Sequence, residues 1–163
     1  GFMVCYLASA RRSVYRMSIT DQCTGLMNRS AYEKFLHGGE RLTSVPAVCI
    51  YIDVNGLHEI NNKHGHGAGD KLLQSVAECL RAQFPDDGLY RIGGDEFVVF
   101  SKADEARMQA VSSALAAQDY SISYGIAAQR VSAGLEDLVR EADENMLKDK
   151  RRYYAEHDRR RPR

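Results

Sequence analysis

The sequence predicts an α+β fold of the ferredoxin-like kind, an antiparallel sheet covered by helices on one face. Three observations predict it. Residues 45–54 (Val-Pro-Ala-Val-Cys-Ile-Tyr-Ile-Asp-Val) are apolar on both faces, as a central strand requires. Leu89, Tyr90 and Ile92 before Gly93-Gly94, with Phe97 to Phe100 after Asp95-Glu96, read as a hairpin. Residues 120–127 (Tyr-Ser-Ile-Ser-Tyr-Gly-Ile-Ala) alternate, with Tyr120, Ile122, Tyr124 and Ile126 facing one way. Helical stripes fill the gaps, which gives the order βαββαβ with an extra helix.

Taken in order, residues 2–18 read as a helix, with Met3, Leu7, Ala10, Val14 and Met17 at steps of four and three. That spacing fits a short coiled-coil seam, and equally an amphipathic helix packed on its own domain. The start at Gly1-Phe2 is expected to continue an upstream segment. Asp21 to Arg29 breaks the helix, because Asp21 and Thr24 favour local side-chain-to-backbone bonds and Gly25 permits a turn. Ser30 is the expected start of a helix to Leu36. After the first strand, Asn55-Gly56-Leu57-His58 turns into a short helix over 59–63. Asp70 is then expected to open a long helix to about Phe84, with Leu72, Leu73, Val76, Leu80 and Phe84 on one stripe. Helices are also expected over 103–118, with Asp104-Glu105 at the start, and over 135–154. Gly125 interrupts the last strand and marks either a bulge or a close contact.

The chain has 163 residues, enough to close the core of one domain, and Lys+Arg equal Asp+Glu at 22 each. No overall basic field argues for a nucleic-acid partner. Cys5, Cys23, Cys49 and Cys79 form no C-x-x-C pair and suit thiols in a reducing cytosol. No apolar run approaches the roughly 18 residues of a membrane span, so a membrane link would have to come through an upstream region. His64 and His66 lack a third ligand and are not read as a metal site.

Several polar residues sit where packing alone does not call for them. Asp95 and Glu96 stand at a glycine turn beside an apolar strand. They suit a divalent cation, and Gly93 and Gly94 leave backbone open to a bulky ligand. A polar turn capping an ordinary hairpin fits the same residues. Asp53 ends a buried strand, which is costly unless it is paired or bound to metal. The turn amides after it form a ready phosphate site. Asp70 reads either as an acid complementing the helix dipole or as a ligand-reading group. Lys150 reads as one more solvated charge or as a contact to an anion.

Gly93-Gly94-Asp95-Glu96-Phe97 is the motif of the GGDEF family, the diguanylate cyclases, and the sequence resembles that family over most of its length. Asp21 to Arg29 resembles the family's D-x-L-T-G-L-x-N-R, with Cys23 in place of leucine. Asp53 to Asn62 is similar to D-x-D/N-x-h-K-x-x-N-D (h apolar), with His58 in place of lysine and Asn62 in place of aspartate. Gly65 to Asp70 matches G-H-x-x-G-D, and Ala142 to Lys150 resembles A-D-x-x-M-Y-x-A-K.

The resemblance implies a palm-type cyclase fold with two Mg2+ (or Mn2+) ions held by Asp53, Asp95 and the Val54 carbonyl, with Glu96 alongside. It implies that the amides of Asn55, Gly56, Leu57 and His58 cradle the GTP phosphates and that Lys150 reaches the triphosphate. Asn61 and Asp70 would read the guanine, the latter through N1–H and N2–H2. Asp95 would serve as base or metal ligand. Each domain would hold one GTP, so a homodimer would make cyclic di-GMP in the cytoplasm, as the output of a signalling protein. The other reading is a weak or inactive domain that binds GTP or cyclic di-GMP, because His58, and Tyr154 where an arginine is frequent, thin the positive charge. A purely structural domain would leave Asp53, Asn61, Asp70 and Asp95 unexplained. The family's inhibitory R-x-x-D element would place its arginine at Phe84 and its acid at Asp87, so that site is expected to be absent. On this reading residues 1–20 are a linker or signalling helix, 21–157 the domain and 158–163 a basic tail.

Overall fold

The structure is a computed structural model that describes residues 2–38, 46–102, 105–130 and 134–160, with side chains described from residue 10 to 157 of these. The expected starts at Val45 and Asp104, the Met3 and Leu7 side chains and residues 161–163 lie outside the described residues. The elements run α1 (Phe2–Ile19), α2 (Arg29–His37), β1 (Val48–Val54), α3 (Leu57–His64), α4 (His66–Gln83), β2 (Gly88–Arg91), β3 (Glu96–Ser101), α5 (Glu105–Ala116), β4 (Ile122–Ala128) and α6 (Leu135–Arg160).

The four strands form one antiparallel sheet in the order β2-β3-β1-β4. β1 is central, as its apolar faces demand, and all its residues but Val48 are buried. Period two divides its side chains. Ile50, Ile52 and Val54 pack with Phe97 and Val99 against α4 (Leu72, Val76, Leu80) and α5 (Met108, Val111, Leu115). Cys49 and Tyr51 pack with Val98 and Phe100 against α2 (Tyr32) and α6 (Leu138, Ala142, Met146). Helices therefore cover both faces, not one. A strand apolar on both sides needs two covers, and α2 and α6 supply the second.

Gly125 is in regular register opposite Tyr51, so it marks no bulge. It marks a close contact: a Cβ there would collide with the Met146 amide nitrogen and the Ala142 carbonyl of α6. This contact lets α6 lie directly on β4 and fixes where Lys150, one turn beyond Met146, comes to stand.

Three local expectations are corrected. The cap of α2 is Asn28, in extended backbone, whose Oδ1 accepts from the Ala31 amide at 3.0 Å; Ser30 is already inside the helix. α4 begins at His66, so Asp70 lies in its second turn and does not cap the dipole. Gly69 within α4 serves a contact, since a Cβ there would strike the Asn61 side chain of α3. Gly93 and Gly94 do not have positive φ, a property confined among the described glycines to Gly25, Gly56 and Gly65. The hairpin closes through Ile92 N–H to the Glu96 carbonyl at 2.9 Å, a longer turn than a two-residue one.

Val14 and Met17 on α1 are 62% and 61% exposed, so the described part of that seam does not pack on its own domain. α6 runs on to Arg160, past the expected start of a tail. Among the described residues no helix is long and apolar enough to cross a membrane.

Candidate active site

β1 and β3 bring the acids together. Asp53 is the cross-strand partner of Glu96, and both point to the α6 face. The next residue of β1, Val54, donates its N–H to the Asp95 carbonyl at 2.8 Å, which folds the hairpin turn back over the strand end. Arg91 braces the turn from the other side. Its Nη2 donates to the Gly94 carbonyl at 2.8 Å, and its Nη1 pairs with Asp21 Oδ2 at 3.1 Å in the elbow after α1.

Asp53 is 4% exposed. Burial pushes its carboxyl above the ordinary range; a hydrogen bond from Lys150 opposes that, and the charges of Asp95 and Glu96 add to it. Lys150 Nζ donates to Asp53 Oδ2 at 2.8 Å. Burial works against the Lys150 charge, but the bond and the charge of Asp53 outweigh it and hold the ammonium above its usual range.

Asp53 Oδ1 is buried and has no hydrogen-bond partner. An orphaned carboxylate oxygen beside two further acids suits a divalent cation, a hard ion that takes oxygen ligands. Yet among the described residues no group of three or more His, Cys, Asp or Glu is drawn together tightly enough to hold a metal ion. At Asp53 the counter-charge is already supplied by Lys150. The residues thus fit a cation if Lys150 gives way.

The second part of the site lies between α3 and α4. Gly56 enters α3 in left-handed backbone with no side-chain cap, so the first-turn amides of Leu57 and His58 lack intrahelical partners. Asn55 is committed elsewhere. Its N–H donates to the Ser121 carbonyl at 3.0 Å, its Nδ2 to Ser121 Oγ at 3.1 Å, and its Oδ1 accepts from Ser123 Oγ at 3.0 Å. The expected amide cradle therefore narrows to residues 56–58. His58 and Asn62, the two departures from the family pattern here, are hydrogen-bonded to each other at 3.0 Å.

Asn61 Oδ1 is buried without a partner and abuts Gly69, the residue before Asp70. Asp70 is exposed, and its Oδ1 accepts from the Cys23 thiol at 3.6 Å. Asn61 thus meets α4 at the residue before Asp70.

At the foot of the hairpin Phe84 is fully buried, with the Arg107 guanidinium 6.0 Å from its ring centroid. Asp87 accepts from Ser101 Oγ at 2.8 Å, and Arg107 approaches it at 3.9 Å.

The structure thus gathers Asp53, Asp95, Glu96 and Lys150 at one end of the sheet, with Gly93 and Gly94 in the turn above them. Tyr51, Arg91 and Asp143 were missed by sequence reasoning. Tyr51 donates to Glu96 Oε1 at 3.1 Å. Asp143 of α6 has its carboxyl raised by burial and then by the charge of Glu96. Period two from Asp53 would have found Tyr51. Asp143 stands at the aspartate of the A-D-x-x-M-Y-x-A-K pattern, but its approach to Glu96 is not legible locally, because α6 reaches the sheet only through tertiary packing.

The sequence model of the family described as "Diguanylate cyclase, GGDEF domain" matches residues 18–154. The diguanylate cyclase DgcN of Escherichia coli is 30% identical over 179 aligned residues, covering 94% of this chain and 40% of that protein. The cyclic di-GMP phosphodiesterase PdeR of the same organism is 31% identical over 121 residues, covering 69% of this chain and 18% of that protein. The chain spans less than half the length of the curated relatives it matches. Among solved structures, the coiled coil and GGDEF domain of DgcB from Caulobacter crescentus, in complex with cyclic di-GMP, superposes with a TM-score of 0.74. That match is 21% identical and covers 91% of this chain and 89% of that one, a likeness of fold.

Proposed function

This chain belongs to the GGDEF family, and from that premise we propose that it is a diguanylate cyclase domain, condensing two GTP into cyclic di-GMP and two pyrophosphates. The observation that carries the proposal is the buried, half-orphaned Asp53 beside Asp95 and Glu96, with Lys150 across from them.

Asp53, Asp95 and the Val54 carbonyl, with Glu96 alongside, would hold Mg2+ or Mn2+. When bound, such an ion supplies charge that eases loss of the 3′-hydroxyl proton and departure of pyrophosphate. The chain's own residues supply the rest. The amides at 56–58 and the His58 side chain orient the terminal phosphates. Asn61 and Asp70 select guanine, since adenine cannot offer N1–H and N2–H2 to a carboxylate. Asp95 takes up the 3′-hydroxyl proton, or would help to hold the cation whose charge eases loss of that proton to water. The 3′-oxygen then bonds to the α-phosphorus of the GTP on a facing domain, and the bond to pyrophosphate breaks. Lys150 turns from Asp53 to the leaving phosphates and stabilises their charge. Each domain holds one GTP, so two copies face each other and the exchange happens twice. Cytoplasm, where GTP is available, is the setting we assign.

Asp95→Asn tests the reading. The variant should fold normally and lose product formation by at least about a hundredfold. Wild-type turnover in a folded Asp95→Asn protein would remove Asp95 from the mechanism.

A second reading has its own support. Lys150 is tied to Asp53, and His58 to Asn62, which suits a domain that binds GTP or cyclic di-GMP without turning it over. Incubation of a tethered dimer with Mg2+ and GTP separates the two: nucleotide binding without pyrophosphate release would favour the binding module.

A further inference from the structure

Tyr51 lies on β1 two residues before Asp53, so both side chains face α6. The residue is 9% exposed, and its hydroxyl donates to Glu96 Oε1 at 3.1 Å. The other Glu96 oxygen lies over Gly93, where a Cβ would stand 2.5 Å from it. Like charge surrounds Glu96: Asp53 stands opposite on β1, Asp95 precedes it in the chain and Asp143 faces it from α6. A carboxylate so placed is driven toward water unless a donor holds it. Among the described residues, the hydrogen bond shown to its side chain is the one from Tyr51.

We propose that Tyr51 is a positioning residue: its hydroxyl holds the Glu96 carboxylate within the acid cluster against the repulsion of Asp53, Asp95 and Asp143, and so sets how tightly that cluster takes a divalent cation. The proposal rests on the reading of Asp53 and Asp95 as cation-holding groups. Its reach is specific. Tyr51 touches neither nucleotide nor cation, and acts only through Glu96.

The test is Mn2+ binding by the full chain, read by electron paramagnetic resonance in the presence of 3′-deoxy-GTP, which lacks the attacking hydroxyl. Tyr51→Phe keeps the ring and removes the donor. It should weaken Mn2+ binding about three- to tenfold, within the range expected for the net contribution of one hydrogen bond, and leave metal-free nucleotide affinity unchanged. In a Glu96→Gln background the same change should add nothing, because neighbours acting as a unit are not additive. Where turnover is measured, kcat should fall and KM for GTP should hold.

Wild-type Mn2+ affinity in Tyr51→Phe, or an equal loss with and without Glu96, would overturn the proposal; the second result would mean that the phenol acts through packing. Asp53→Asn and Asp95→Asn separate the levels. Should both bind Mn2+ as wild type does, the cation reading falls and the proposal with it. Should both lose Mn2+ while Tyr51→Phe keeps it, the proposal alone falls.

Discussion

His58 and Asn62, the two departures from the family pattern in α3, act as a pair. A lysine at that position would be charged throughout the working pH range and would attract a carboxylate one turn on. Here both charges are replaced, and the imidazole and the Asn62 amide bond to each other at 3.0 Å. The exchange keeps the side chain tethered to α3 while removing the fixed positive charge beside the expected phosphates. His58→Lys, made together with Asn62→Asp, should tighten GTP binding roughly three- to tenfold, or about 0.7–1.4 kcal/mol. The gain should shrink in high salt, as screening requires. Calorimetric titration at two ionic strengths checks this, and equal affinity of the two proteins would mean that residue 58 does not reach the phosphates. The pair was legible only in part. The sequence marked each departure from the family pattern, and the spacing of four put both on one helix face, but their mutual bond is a matter of rotamers that no pattern reports.

Elements are held in place here by a few close contacts. Gly125 lets α6 touch β4, and Gly125→Ala would force a Cβ into the Ala142 carbonyl and the Met146 amide. Overpacking against backbone costs about 1–3 kcal/mol, and because Lys150 rides on the same helix, activity should fall further than stability accounts for. Denaturant unfolding and turnover on the same samples measure both, and a variant as stable as wild type would mean that α6 shifts freely. The elbow after α1 is held by Asp21. Burial alone would raise the Asp21 carboxyl, but the Thr24 hydroxyl and amide and the Arg91 guanidinium outweigh it and hold the group below its ordinary range. A depressed folded-state value contributes stability that is present above the ordinary carboxylate range and lost as pH falls through the folded value. Asp21→Ala should therefore cost about 1.5–3 kcal/mol at neutral pH and progressively less in acid, the two melting curves converging once the pH has fallen below the ordinary carboxylate range and through the lower folded value. A gap that persists there would assign the loss to packing. The helical and strand pattern announced these elements well, because period two and the apolar stripes are local. Cap positions and the second helical cover were not announced, because Asn28 and Ser30 are both good cap residues and α6 shows its apolar face only against a sheet.

At the scale of the whole molecule, the sheet places the acid cluster at one end and buries Phe84 at the hairpin's foot. An inhibitory site of the family's kind needs an arginine at that position. Phe84 offers none, and Asp87 is already engaged by Ser101 with Arg107 close by. Cyclic di-GMP should accordingly inhibit only weakly. Titrating it into a turnover assay checks this, and sub-micromolar non-competitive inhibition would show that Arg107 has rebuilt the site from α5. The architecture followed from the order of elements, and the acid pair followed from the adjacency of the first strand and the hairpin. The embrace of Asp53 by Lys150 did not, since the two are 97 residues apart in the chain and meet only once α6 is docked.

That embrace has a thermodynamic consequence. Lys150 and a divalent cation compete for one carboxylate, and the lysine, once displaced, becomes available to a phosphate. Cation and nucleotide are then linked ligands: each should raise the affinity of the other by the same factor, as reciprocity demands. Until both arrive, the charge of Asp53 is answered from within the chain by Lys150. Lys150→Ala should change the size of that linkage, tightening the metal when it binds alone and loosening the nucleotide, while what coupling remains stays reciprocal.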